Sequence, residues 1–212
     1  MADLEQARED LLRHLDREIA DKRVIEAMRR VPREAFVSAD QRDAAYDDRP
    51  LGIGFAQTIS QPYMVALMLQ ALGLTGSEKV LELGTGSGYE AAILAELARS
   101  VITVEYIPEL AESARQALDG LGYSNVEVHK AGETLGWPEG APYDAIIVSA
   151  GAPAVPEVLL EQLTWGGRLV IPVGSRWQQD LLRVTRLREG NTTENLGGCY
   201  FVPLIGKDAW PE

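Results

Sequence analysis

The stretch Val80-Leu-Glu-Leu-Gly-Thr-Gly-Ser-Gly-Tyr89 constrains this chain more than any other. Val80 to Leu83 suit a buried strand, glycines follow at 84, 86 and 88, and 89–98 has the composition of a helix. Glycines lack a Cβ, so the backbone can turn sharply and approach a ligand closely. A strand, a glycine turn and a helix in immediate succession commit the chain to βαβ units and a parallel sheet. In such sheets ligands bind beyond the carboxyl ends of the strands. The next predicted strand, 101–105, ends in Glu105, 21 residues after Gly84, where a carboxylate can accept hydrogen bonds from ribose hydroxyls.

The remaining pattern agrees. Apolar residues at helical spacing predict a helix over 4–20 and a second one capped by Asp21, with Val24, Ile25 and Met28 on one face. Residues 31–60 have weak periodicity and carry Pro32, Pro50, Gly52 and Gly54, which reads as an ordered but irregular lead-in. A core helix is expected over 64–72. Strands are then expected at 79–83, 101–105, 126–130, 143–149 and 167–173, with helices at 89–98, 108–121 and 156–163 between them. Residues 181–187 alternate as a half-buried strand does, and 199–205 reads as a last strand. The expected fold is α/β: a doubly wound, mostly parallel Rossmann-like sheet with helices on both faces and an antiparallel C-terminal edge. One domain is expected over 1–212, with 1–60 as the lead-in and 61–212 as the core.

Composition removes several classes of function. No apolar run approaches the roughly 20 residues of a membrane span, and the acidic start MADLEQARED is not a secretory signal. Cys199 is the single cysteine, so no internal disulfide forms, and a cytoplasmic protein is expected. His14 and His129 are the only histidines; no metal site is expected, and both are read as structural. The formal charge of −12 without a basic patch argues against nucleic acid as a partner.

Two cofactors compete for the glycine loop. Residues 86–91 formally fit G-x-G-x-x-A, a dinucleotide signature. Against it, the first glycine follows the strand at once and the run is E-x-G-x-G-x-G from Glu82, which resembles the fingerprint of class I methyltransferases. S-adenosyl-L-methionine has no pyrophosphate to seat on a helix; its amino-acid portion and sulfonium suit carbonyls and a nearby acid.

The resemblance is more specific elsewhere. Residues 21–37 (DKRVIEAMRRVPREAFV), the stretch 44–64 centred on Gln57-Thr58-Ile59-Ser60 and Pro62, the run 105–110, the run 143–153 and the segments 171–174 and 201–204 are similar to motifs of the protein-L-isoaspartate O-methyltransferase family. That resemblance implies transfer of a methyl group from S-adenosyl-L-methionine, with S-adenosyl-L-homocysteine as product, to the α-carboxylate of L-isoaspartyl residues in damaged proteins. The ester then closes to a succinimide that can reopen as aspartate. It implies Ser60 as the catalytic-position serine. For the cofactor it implies Gln57, Thr58, Ile59, Glu82, Gly84, Thr85, Gly86, Gly88, Glu105, Tyr106, Gly132 and Glu133. Taken alone, Ser60 also reads as a turn serine bonding its own backbone. One departure stands out: the family's Gly-Asp-Gly after the third strand is Ala131-Gly132-Glu133 here, so the carboxylate comes one residue later and is longer. A smaller one is Ala56, where many relatives have glycine.

The chemistry is consistent with that inventory. A carboxylate acceptor is ionised at neutral pH and needs no general base, whereas a hydroxyl or amine would more often want one. Other readings remain: a carboxyl methyltransferase of the same scaffold with another peptide or small-acid acceptor, a non-catalytic binder of the cofactor, and a dehydrogenase. A monomer is expected.

Overall fold

The structure, a computed structural model, describes residues 3–211. Its first two helices begin where an aspartate can cap them. Asp3 accepts from the Gln6 amide at 3.1 Å to open α1 (Leu4–Glu18). Asp21 accepts from the Arg23 amide at 3.0 Å to open α2 (Lys22–Arg30), as expected. Leu11, Leu12 and Leu15 of α1 and Val24, Ile25 and Met28 of α2 bury one stripe each in a shared core. Helix α1 ends at Glu18, two residues short of the expected 20, and is followed by its C-cap Ile19, whose amide still donates to the Leu15 carbonyl.

Residues 31–60 are more regular than the sequence suggests. Between short 3₁₀ turns and α3 lies a hairpin of β1 (Leu51–Gly54) and β2 (Gln57–Ile59), with Leu51 opposite Ile59. Strands of four and three residues are too short to show alternation, which is why the pattern missed them. The hairpin turns at Phe55 and Ala56, whose φ values of +52° and +57° are left-handed. Helix α3 (Pro62–Leu72) starts on Pro62, whose missing N–H costs nothing in a first turn, and stops at Gly73 with φ +59°.

The sheet follows: β3 (Lys79–Leu83), α4 (Tyr89–Leu97), β4 (Ser100–Glu105), α5 (Pro108–Gly120), β5 (Val126–Lys130), β6 (Tyr143–Val148), α6 (Glu157–Glu161), β7 (Leu163–Gly174), β8 (Gln179–Thr185) and β9 (Thr192–Cys199). The spatial order is β5-β4-β3-β6-β7-β8-β9, parallel through β7 and antiparallel at β8 and β9. Successive residues of a strand face opposite sides. Thus Val80, Ala145 and Ile147 join the core under α1 to α4, while Leu81, Leu83, Ile146 and Val148 join the core under α6. Burial on both faces explains the unbroken apolar run of β6.

The last strand lies earlier than expected. It is 192–199, and 199–205 makes only isolated bridges such as Gly151 with Pro203. The β9 residues are mostly exposed on an edge and include Asn195, Gly197 and Gly198, so no apolar alternation marks them. Phe201 and Leu204 are apolar because the tail is buried over the sheet, not because it is a strand. Among the described residues, no helix is long and apolar enough to cross a membrane.

Candidate active site

The chain leaves β3 for β4 and β5 on one side and returns with β6 on the other. The crevice at the carboxyl ends of β3 and β6 is therefore the switch point at which such sheets bind ligands. Gly84 and Ser149 meet there, the Ser149 amide donating to the Leu83 carbonyl at 2.9 Å. Gly84, Gly86 and Gly88 take φ of +93°, +53° and +90°, conformations that only glycine adopts at little cost. A Cβ on Gly86 would also lie 3.3 Å from Ile53 of β1, and one on Gly88 3.3 Å from Ala114 of α5.

Glu105 fixes the loop. Its Oε2 accepts from the Gly86 amide at 2.8 Å and its Oε1 from the Ile107 amide at 2.9 Å. The carboxylate is thus held at the mouth of the loop with lone pairs remaining for a ligand. Thr85 and Thr103 share a hydroxyl contact of 2.5 Å behind it.

A cavity of about 1180 Å³, counted to its open mouth, joins these parts. On one wall are Gln57, Thr58, Ile59 and Ser60; on another are Gly84, Thr85, Gly86, Glu105 and Tyr106; Gly132 and Glu133 close a third. Two expected residues do not line it. Glu82 is fully buried behind the loop, and Gly88 serves as the N-cap of α4. Ser60 makes no hydrogen bond from its hydroxyl among the described residues, so it is not a turn serine occupied with its own backbone. Its backbone is instead held by the buried Arg33. Both histidines lie outside the cavity; His129 stacks on Trp137, with ring centroids 4.1 Å apart.

Several lining residues escaped the sequence reading. Glu90 and Ser149 line the cavity, the Ser149 hydroxyl donating to Glu90 Oε2. The signal for Glu90 was a charge in the first turn of the otherwise apolar start YEAAIL; the signal for Ser149 was its place just past β6, beside the glycine turn. The tail 202–206 forms a further wall, and the loop 134–136 another. Gln162 pins that loop: its Nε2 donates to the Leu135 carbonyl and its Oε1 accepts from the Trp137 amide, both at 2.9 Å.

Burial raises the Glu90 carboxyl to about 7 against the opposing pull of the Ser149 hydroxyl. Glu82 is raised well above the usual carboxylate range, first by burial and then by Glu90 and Glu105. Glu90 is thus a perturbed carboxyl lining a crevice, the setting in which functional carboxyls are found.

Residues 6–209 match the family model described as protein-L-isoaspartate(D-aspartate) O-methyltransferase. A Pelobacter propionicus protein named protein-L-isoaspartate O-methyltransferase 2 is 57% identical over 198 residues, which are 92% of this chain and 88% of that one. A Geobacter metallireducens protein-L-isoaspartate O-methyltransferase is 57% identical over 197 residues, covering 92% and 91% of the two chains. Among solved structures, one named protein-L-isoaspartate O-methyltransferase superposes with a TM-score of 0.85 at 29% identity, over 95% of this chain and 67% of that one. A Plasmodium falciparum structure, described as a protein-L-isoaspartate O-methyltransferase in complex with S-adenosyl-L-homocysteine, gives 0.79 at 25% identity, over 92% and 96%.

Proposed function

The chain belongs to the protein-L-isoaspartate(D-aspartate) O-methyltransferase family, and from that premise we propose how its own residues carry out the family reaction. The enzyme moves a methyl group from S-adenosyl-L-methionine to the α-carboxylate of an L-isoaspartyl residue in a damaged protein. One observation supports this reading above the others: residues 57–60 and the glycine loop line the same cavity.

The residues present suit this cofactor. The glycine loop gives a backbone cradle, Glu105 presents a fixed carboxylate for ribose hydroxyls, and Glu90, which lines the cavity, has a carboxyl oxygen without a partner to set against a cationic ligand. When bound, S-adenosyl-L-methionine supplies an electrophilic methyl group on a positively charged sulfur. Gly84, Thr85 and Gly86 would hold its body, Gly132 and Glu133 its adenine and Tyr106 its ribose, and Gln57, Thr58 and Ile59 would complete the site. Glu82 and Gly88 act from behind the loop: Gly88 shapes it through its left-handed backbone, and Glu82 backs it as a buried carboxyl held above the usual range.

Ser60 acts on the acceptor. Its unengaged hydroxyl would donate to the substrate carboxylate and hold it in place for methyl transfer. No base is required, because that carboxylate is ionised at neutral pH. Ser60 and the apolar walls from Val65, Leu83 and Leu204 exclude water as opposite charges approach and cancel. Orientation and a dry site supply most of the acceleration.

The same reading treats 1–212 as one methyltransferase domain, since a single apolar cluster runs from Leu11 through Ile93 to Phe201. It places a monomeric enzyme in the cytoplasm, acting on proteins and not on nucleic acid, which the single cysteine and the charge of −12 support.

The test is methyl transfer from labelled cofactor to two peptides that differ only in carrying L-isoaspartate or aspartate at one position. Base-labile label on the isoaspartyl peptide alone, reduced at least tenfold in Ser60→Ala with cofactor affinity unchanged, is the expected result. Cofactor binding with neither peptide labelled would discard the acceptor; full activity in Ser60→Ala would remove Ser60 from the chemistry.

A further inference from the structure

Two buried carboxyls sit beneath the loop without the partners that burial demands. Glu82 is fully buried, and neither of its oxygens has a hydrogen-bond partner. Glu90 is 8% exposed; Ser149 engages Oε2, and Oε1 is buried with no partner. Glu105 is the contrast, with both oxygens held by backbone amides. An ionised carboxylate buried without partners costs several kcal/mol, so this pair calls for a proton or a cation. Glu82 lies behind the loop, whereas Glu90 and Ser149 line the cavity itself, together with Ser60.

The cofactor and its product differ by one charge near the reacting centre. Both carry an α-amino and an α-carboxyl group, but only S-adenosyl-L-methionine has a sulfonium; S-adenosyl-L-homocysteine has a neutral thioether. We propose that Glu90, which lines the cavity with an incompletely partnered carboxyl, is a specificity-determining residue that favours the charged cofactor over the neutral product. The proposal rests on reading the cavity as the cofactor site. An ionised Glu90 draws the sulfonium in and loses that attraction once the methyl group has left, which helps product to leave. A protonated Glu90 does not distinguish the two.

The groups facing Glu90 make its charge adjustable. Burial opposes its ionisation and Ser149 past β6 favours it, while Glu82 from β3 is itself held protonated by burial, by Glu90 and by Glu105 from β4, against the pull of the Thr103 hydroxyl. On the α2 side, Arg30 is paired with Glu96, towards the other end of α4. With its carboxyl raised to about 7, Glu90 changes charge within an easily reached pH range.

The experiment is calorimetric binding of S-adenosyl-L-methionine and of S-adenosyl-L-homocysteine to the full chain, wild type and Glu90→Gln, at several pH values from 5.5 to 8.5. The sulfonium lowers the pKa of the cofactor's own amino group relative to the product's, so the ratio in Glu90→Gln, which keeps that ligand titration and lacks the carboxyl, is the baseline. Relative to that baseline, the wild-type preference for the cofactor over the product should rise about tenfold from the acid to the alkaline end. Ser149→Ala removes the hydroxyl that favours ionisation and should move the midpoint of the wild-type curve to higher pH, which keeps the test decisive if Glu90→Gln folds poorly. A wild-type ratio that follows the same pH course as that of Glu90→Gln would overturn the proposal. Binding of neither ligand at any pH would overturn the cofactor reading beneath it as well.

Discussion

Arg33 donates from Nη2 to the backbone carbonyl of Ser60 at 2.8 Å, while its Nε donates to the Ala45 carbonyl at 2.9 Å and its guanidinium lies 4.8 Å from the centre of the Tyr89 ring. The side chain is fully buried. One planar cation thereby ties the segment that bears the proposed catalytic serine to the lead-in and to the first turn of α4. Lysine cannot reproduce two divergent donors.

Arg33→Met is therefore expected to leave two carbonyls unpaired at about 1–3 kcal/mol each, offset in part by relief of a desolvated charge, for a net loss of roughly 2 kcal/mol. Ser60 would drift while the glycine loop stays in place. Urea unfolding should show the stability loss, and kinetics should show KM for an isoaspartyl peptide rising severalfold while the cofactor dissociation constant holds. Equal losses in both would mean that Arg33 supports the whole cavity, not the serine.

The hairpin tip next to this segment stores strain. Phe55 and Ala56 both have left-handed φ without being glycine. The left-handed region costs a residue with a Cβ roughly 1–2 kcal/mol, whereas a glycine there gives up about 0.5–1 kcal/mol of unfolded-chain entropy. The balance favours glycine, so Ala56→Gly should raise stability by about 0.5–1 kcal/mol. Denaturant titration checks the sign; a less stable variant would show that the turn is relaxed as it stands.

How much of this was legible depends on what each residue does. The glycine turn, Glu105 and the mostly parallel sheet could be read because a βαβ unit imposes spacing, glycine and burial together. The β1–β2 hairpin could not, since seven strand residues leave no period to detect. The last strand was misplaced because its edge position exposes it, while the apolar 201–204 run covers the sheet and the cavity. Gln57 to Ser60 came from resemblance, as nothing in their own chemistry marks them. Glu90 was legible only as an acid among apolar neighbours, and its meaning depends on Ser149, which lies 59 positions away.

Glu133 tests the departure at 131–133. It is exposed and borders the cavity. A solvated carboxylate that accepts one hydrogen bond contributes about 1 kcal/mol, or roughly fivefold in affinity. Glu133→Ala should thus weaken cofactor binding about three- to tenfold by calorimetry and leave the unfolding midpoint unchanged. An unaltered dissociation constant would take Glu133 out of the site and leave the adenine to backbone and apolar contacts such as those from Leu135.

The buried acids also set how the cofactor-free enzyme responds to pH. Burial raises Glu90 to about 7 from its usual 4.5, and raises Glu82 well above the same value. Between about pH 4.5 and 7 the folded chain holds protons that the unfolded chain has released. Stability from this source is complete below the unfolded value and is lost as pH rises through the folded one. Glutamine at position 90 has no proton to lose, so Glu90→Gln should stabilise the cofactor-free protein by roughly 1–3 kcal/mol at pH 8 and by far less at pH 5. Urea unfolding of both proteins at the two pH values gives the comparison. Equal differences at pH 5 and pH 8 would mean that Glu90 is ionised throughout, with its charge met by a partner inside the fold.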